Sequence, residues 1–219
     1  MTKMTRIVLV RHGQTAWNRE ARFRGRAEVE LDEFGLRQAE ATGRYLVARW
    51  PVVAVYASPL RRAMQTAEAI ARAVRLSAHD EAHGLTAHPL EGLLDINFGE
   101  LQGLSLDEAA QRYPAVYRAW EEAPHTVCFP GGEGLDDVRS RIVTALDEVI
   151  ARHPEQAIAL VSHTVANRVL LCAVLGWGND HFWRLRQETC AVNVFDAEDD
   201  GTFTIVLLND TCHLQGLSE

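Results

Sequence analysis

Four cysteines, Cys128, Cys172, Cys190 and Cys212, stand too far apart in the sequence to form a Cys-x-x-Cys pair, which removes the usual zinc and dithiol motifs. Buried or free thiols in a reducing cytoplasm are the reading that remains. Basic charge is also scarce: 22 Lys and Arg against 30 Asp and Glu leave a net charge of −8. That balance is wrong for broad capture of nucleic acid or of an anionic membrane, so any anion site must be a local gathering of arginines. No run approaches the roughly 18 apolar residues of a membrane span. The apolar run before Arg11, residues 7–10, is too short for the core of a signal peptide. A soluble, cytoplasmic protein is expected.

What is present is ordinary globular material. With 47% hydrophobic residues in 219, the chain can bury a full core as one domain, 1–219. The β-branched run 7–10 ends at Arg11-His12-Gly13 and reads as a buried, parallel strand. A helix is expected over 35–50, closed by Pro51, then a strand over 52–57. Ser58-Pro59 supplies a cap and an N1 proline for a helix over 60–74. Residues 77–130 are less regular, with helical pieces near 107–112 and 115–122, and are expected to form an excursion covering the site. Beyond them lie a helix at 135–153, a strand at 157–161 delivering Ser162-His163, and a helix at 165–175 stopped by Gly176. Strands at 190–195 and 202–208 are joined by the acidic turn 196–201. The alternation predicts an α/β protein, a three-layer α/β/α sandwich around a mostly parallel central sheet.

His12 and His163 each stand at the end of an expected strand, where ligands of open α/β sheets bind. Arg11 adjoins the first, and Arg62 opens the second helix. Imidazoles, guanidiniums and helix N-termini together make an anion pocket able to stabilise a transferring phosphoryl group without a metal.

The stretch Arg11-His12-Gly13-Gln14-Thr15-Ala16-Trp17-Asn18 resembles the RHG(E/Q)(S/T)xWN signature of the histidine phosphatase superfamily, the group that includes cofactor-dependent phosphoglycerate mutases, fructose-2,6-bisphosphatase domains and α-ribazole phosphatases. Arg22-Phe23-Arg24-Gly25 is similar to its RFxG segment. Ser58-Pro59-Leu60-Arg61-Arg62-Ala63 with Gln65-Thr66-Ala67 resembles SPLxRAxQTA, and Asp95-Ile96-Asn97-Phe98-Gly99 resembles ExxFG. Pro130-Gly131-Gly132-Glu133 and Val161-Ser162-His163 follow in the family's order, so the resemblance spans nearly the whole chain.

The resemblance implies a phosphoglycerate-mutase-like fold and a metal-independent phosphatase of the α-ribazole-phosphatase type, without cofactor, acting on a small phosphomonoester. His12 becomes phosphohistidine, and Arg11, Arg62 and His163 hold the transferring group. Asp95 takes the place of the general acid, usually glutamate, with Glu100 as its competitor. Asn18 donates to the same oxygens, while Thr15, Arg24, Gly25 and Thr164 line the substrate side. Thr164 replaces a common glycine and Gly134 a common serine, which predicts altered substrate fit.

Two other functions remain open on the sequence. A phosphoglycerate mutase would need extra basic residues; Leu106 stands at the family's lysine spacing, and no Arg-Arg pair occurs between Asp95 and Pro130. A non-catalytic phospholigand-binding module would have no need of the full set of histidines, arginines and carboxylate. Arg24 faces either substrate or Glu28 and Glu30, and Arg61 is read as solvated. His79, His83 and His88 are irregularly spaced for a metal, and His213 closes the C-terminus or touches substrate. Trp17, Trp120, Trp177 and Trp183 are read as packing, and a homodimer through an edge strand or the late helices is possible.

Overall fold

The computed structural model describes residues 4–77 and 84–218. Along the chain run β1 (Met4–Arg11), α1 (Ala16–Arg19), α2 (Glu33–Val47), β2 (Val52–Ala57), α3 (Arg61–Ser77) and β3 (Ala87–Pro89). After these come α4 (Leu106–Arg112), α5 (Pro114–Glu122), α6 (Leu135–Arg152), β4 (Ala157–Ser162), α7 (Thr164–Val174), β5 (Val192–Glu198) and β6 (Phe203–Asp210). Six strands form one sheet in the order β3-β2-β4-β1-β5-β6. The first four are parallel, and β5 and β6 join as antiparallel neighbours.

Strand alternation builds two cores from one sheet. Ile7 and Leu9 of β1 face a core shared with α6 and α7, whereas Val8 and Val10 face one shared with α2 and α3. This is the expected three-layer α/β/α sandwich. The caps are local chemistry: Asp32 accepts from the Gly35 amide at 2.8 Å to start α2, and Ser105 and Glu108 exchange hydrogen bonds to start α4. Helix α2 stops at Val47, before Pro51, because its last turn closes on Ala48.

The middle segment is more ordered than its sequence implies. Ala87–Pro89 pairs with β2 at the sheet edge; three residues ending in proline are too few for a periodic signal. Leu93, Ile96, Phe98, Trp120 and Phe129 are buried in the α6–α7 core, which anchors the segment over the ends of the strands. Strand β5 runs on through Glu198, so the acidic turn is shorter than expected. His79 and His83 lie outside the described residues.

Candidate active site

Arg11 and Ser162 are register partners on the neighbouring strands β1 and β4, so the residues that follow them, His12 and His163, emerge side by side. Their ring centroids are 5.1 Å apart. The His12 loop presses on the start of α2: a Cβ on Gly35 would lie 2.1 Å from the Gln14 carbonyl oxygen, and one on Gly13 2.6 Å from that of Gly35. Only paired glycines permit that approach.

His12 Nδ1 lies 2.7 Å from the Gly13 carbonyl oxygen. A carbonyl only accepts, so this nitrogen carries the proton and Nε2 carries the lone pair. Arg62 Nε stands 3.3 Å from that Nε2. Burial, then the charges of Arg62, Arg11 and Arg24, hold the His12 pKa well below its ordinary value. The ring is neutral and held in one orientation. His163 is likewise buried, stands at the N-cap position of α7 with no side-chain cap bond, and has its pKa held well below the ordinary value mainly by burial and next by Arg62.

The Arg62 guanidinium is fully buried and fixed by the carbonyls of Gly25, at 2.7 Å, and Ala27, at 2.8 Å. Gly25 therefore enters the site through the guanidinium it holds, with a left-handed φ of 48°. Arg11 donates to the Gln187 carbonyl at 2.5 Å. Burial pushes the Arg11 pKa down to about 9 and that of Arg62 to about 10. Nε of Arg11, Arg24 and Arg168, both ring nitrogens of His163 and Oγ1 of Thr164 are buried with no hydrogen-bonding partner among the described residues. Buried donors left open at this density call for an anionic, oxygen-rich ligand.

Asn18 Oδ1 accepts from both the amide and the hydroxyl of Thr15, which leaves the Asn18 amide protons as the pair's donors to a ligand. Arg24 donates to the Trp17 carbonyl and not to Glu28 or Glu30; Glu30 pairs with Arg61. Asp95 is buried with its Oδ2 3.7 Å from Arg62 Nη2. Glu100 is exposed and accepts from the Tyr113 hydroxyl. Of the two candidate acids, Asp95 is the one beside the buried Arg62.

The model of the histidine phosphatase superfamily (branch 1) matches residues 7–211. The chain belongs to that superfamily. Phosphoserine phosphatase 1 of Hydrogenobacter thermophilus is 35% identical over 211 residues, 96% of this chain and 95% of that protein. The metal-independent phosphoserine phosphatase of Arabidopsis thaliana is 35% identical over 163 residues, 74% of this chain and 65% of that protein. The solved structure of Bacillus stearothermophilus YhfR superposes with a TM-score of 0.86 at 30% identity, covering 96% of this chain and all of that one. Within the histidine phosphatase superfamily the chain is a hydrolase of the phosphomonoesterase type.

Several supports of this histidine phosphatase site escaped the sequence. Thr66 Oγ1 accepts from the Gly13 amide and donates to the Arg62 carbonyl, tying the loop of His12 to α3. The Gln187 side chain joins Asn167 and Asn193 beneath Arg11. Only the QTA segment hinted at Thr66; the others lie in no quoted motif. Among the described residues, Asp210, Cys212 and His213 alone bring potential metal ligands together, within 4.8 Å. They pack on α2, where Asp210 accepts from Tyr45, and His213 bonds Thr42 and stacks on Tyr45. His213 thus closes the C-terminal segment onto α2.

Proposed function

We propose that this phosphatase transfers the phosphoryl group of a small monoester to His12 Nε2 and then to water. The observation that carries the reading is the His12 Nδ1 bond to the Gly13 carbonyl, which leaves the lone pair on Nε2, where Arg62 Nε donates to it at 3.3 Å beside other buried, open donors. Arg11, Arg62, His163 and Asn18 hold the equatorial oxygens as charge spreads over them. Asp95 protonates the departing alcohol, then takes a proton from the attacking water. Atoms balance: the ester P–O bond breaks as P–N forms, and hydrolysis returns His12 and releases phosphate.

Relatives named phosphoserine phosphatase make O-phosphoserine the first natural ester to try. The apolar Leu106 in the substrate cavity favours hydrolysis over retention of a bisphosphorylated intermediate. No helix of the described residues is long and apolar enough to cross a membrane, and four unpaired cysteines support a reducing cytoplasm. Exposed Val206 and Leu208 on edge strand β6 support a homodimer, which gel filtration tests.

The deciding experiment is hydrolysis of p-nitrophenyl phosphate in EDTA by wild type and His12→Ala, with acid-labile phosphoenzyme trapped in each. Chelator-resistant turnover and phosphoenzyme, both lost in the variant, are expected. Turnover that survives in His12→Ala sinks the mechanism.

A further inference from the structure

Beyond Asp95 the site opens into a cavity of about 210 Å³. Its walls carry the aromatic rings of Phe23, Phe98, Trp120, Phe182 and Trp183, and it also holds Arg22, Arg24 and Arg168 against the single acid Asp95. Arg22 is committed to Glu20 and the Gly103 carbonyl, and Arg24 donates to the Trp17 carbonyl. Arg168 is different. No ion pair engages it among the described residues, and its Nε is buried without a partner. Its guanidinium carbon sits 4.9 Å from the Trp183 ring centre and 5.2 Å from that of Phe182. Stacking of this kind fixes a guanidinium plane and leaves its edge for ligand.

Arg168 and Thr164 are one helical turn apart on α7, hence on the same face and about 6 Å apart along the axis. Thr164 Oγ1 is likewise buried without a partner. Thus α7 presents His163 at its N-cap position to the phosphoryl group, with the Thr164 hydroxyl beside it and, one turn on, the Arg168 cation for whatever the phosphate is attached to.

We propose that Arg168, assisted by Thr164, is the residue that selects substrate, by binding a carboxylate on the leaving alcohol, so that the enzyme prefers short phosphorylated hydroxy acids. The inference rests on the phosphatase reading above. It does not require an amino group on the substrate: Asp95, the one acid in the cavity, is reserved for proton transfer, so phosphoserine and phosphoglycerate are recognised alike through their shared carboxylate.

The test compares kcat/KM for O-phosphoserine against O-phosphoethanolamine, and for 3-phosphoglycerate against glycerol 3-phosphate, all in EDTA. Each pair differs at the carboxylate. Wild type is expected to favour the acid of each pair by about 10- to 100-fold, the worth of a charged hydrogen bond. In Arg168→Met both ratios fall towards one, chiefly through KM, and Arg168→Lys keeps part of the preference because it retains charge without the fork. A melting curve verifies that each variant is folded, and the wild-type ratios stand without any variant. Ratios near one in a wild type that hydrolyses p-nitrophenyl phosphate, or ratios unchanged in folded Arg168→Met, overturn the role of Arg168 alone. Wild type that hydrolyses no ester and traps no phosphate overturns the phosphatase reading beneath it.

Discussion

Asp95 Oδ2 and Arg62 Nη2 stand 3.7 Å apart, both sealed from solvent, and yet the carboxyl pKa is raised. Burial is the larger effect; the charges of Arg62 and Arg24 oppose it without overcoming it. At this separation the pair is close but not hydrogen-bonded. A raised pKa favours the protonated form, which a tightly bridged carboxylate would lose.

Asp95→Asn is therefore expected to slow hydrolysis of alkyl phosphates by about 10²- to 10⁴-fold, the usual worth of a general acid. The loss on p-nitrophenyl phosphate should be much smaller, since nitrophenolate departs without a proton. Parallel kcat measurements on the two esters check this, and equal losses would exclude Asp95 as the acid.

Opposite titrations set the pH response. His12 must be neutral to attack, so activity rises with pH through a pKa lying below 6.5. Asp95 must be protonated, so activity falls as pH climbs through a pKa lying above 3.8. A bell with its maximum on the acid side of neutrality is expected from kcat/KM measured on an alkyl ester. Stability moves in one direction over the same range as far as the histidines are concerned. His12 and His163 have folded pKa values depressed below 6.5, so the unfolded chain binds protons that the native one refuses. Their share of stability is complete above about 6.5 and drains away as pH drops towards the folded values. Melting temperatures taken from pH 7.5 downward, in phosphate-free buffer, should decline accordingly.

Inorganic phosphate should raise the melting temperature, because it gives partners to donors that are otherwise open. At about 100 times its dissociation constant the gain is about 2.7 kcal/mol, which for a chain of this length is about 5–10 °C. Thermal scans across phosphate concentration test it. Arg11→Met should shrink the shift, and an equal shift in that variant would place the anion elsewhere.

Thr66→Val removes the hydroxyl that links the Gly13 amide to the Arg62 carbonyl. The Gly13 amide is then left buried and unpaired, at a cost of about 1–3 kcal/mol. Urea denaturation should register that loss, and kcat should fall with it, since His12 is oriented by the adjoining Gly13 carbonyl. Thr66→Ser, which keeps the hydroxyl, should recover most of both.

Much of the site was legible because its residues sit where strands end. His12 and His163 were visible as the residues after two apolar runs, and Arg11 and Arg62 as their near neighbours in sequence. Sheet order was not visible, since parallel pairing of β1 with β4 joins segments far apart in the chain. Strand β3 was too short to show a period. Arg168 was missed for another reason: an arginine within an apolar helix looks like any solvated charge until Phe182 and Trp183, from a later segment, fold over it. Trp183, read as packing, lines the cavity as well as packing on Trp120.

The register of β1 against β4 also fixes when this protein becomes an enzyme. A growing chain that has only just passed α3 already contains Arg11, His12, Arg24 and Arg62, but β1 still lacks β4 and β5, its partners on both edges. Pairing across such long stretches of chain is slow to form, and an open apolar strand is hazardous while it waits. Polypeptides arrested before β4 are expected to bind no phosphate and to need chaperone protection. Catalytic competence would then arrive abruptly, once Gln187 and the β5 segment come to lie beneath Arg11.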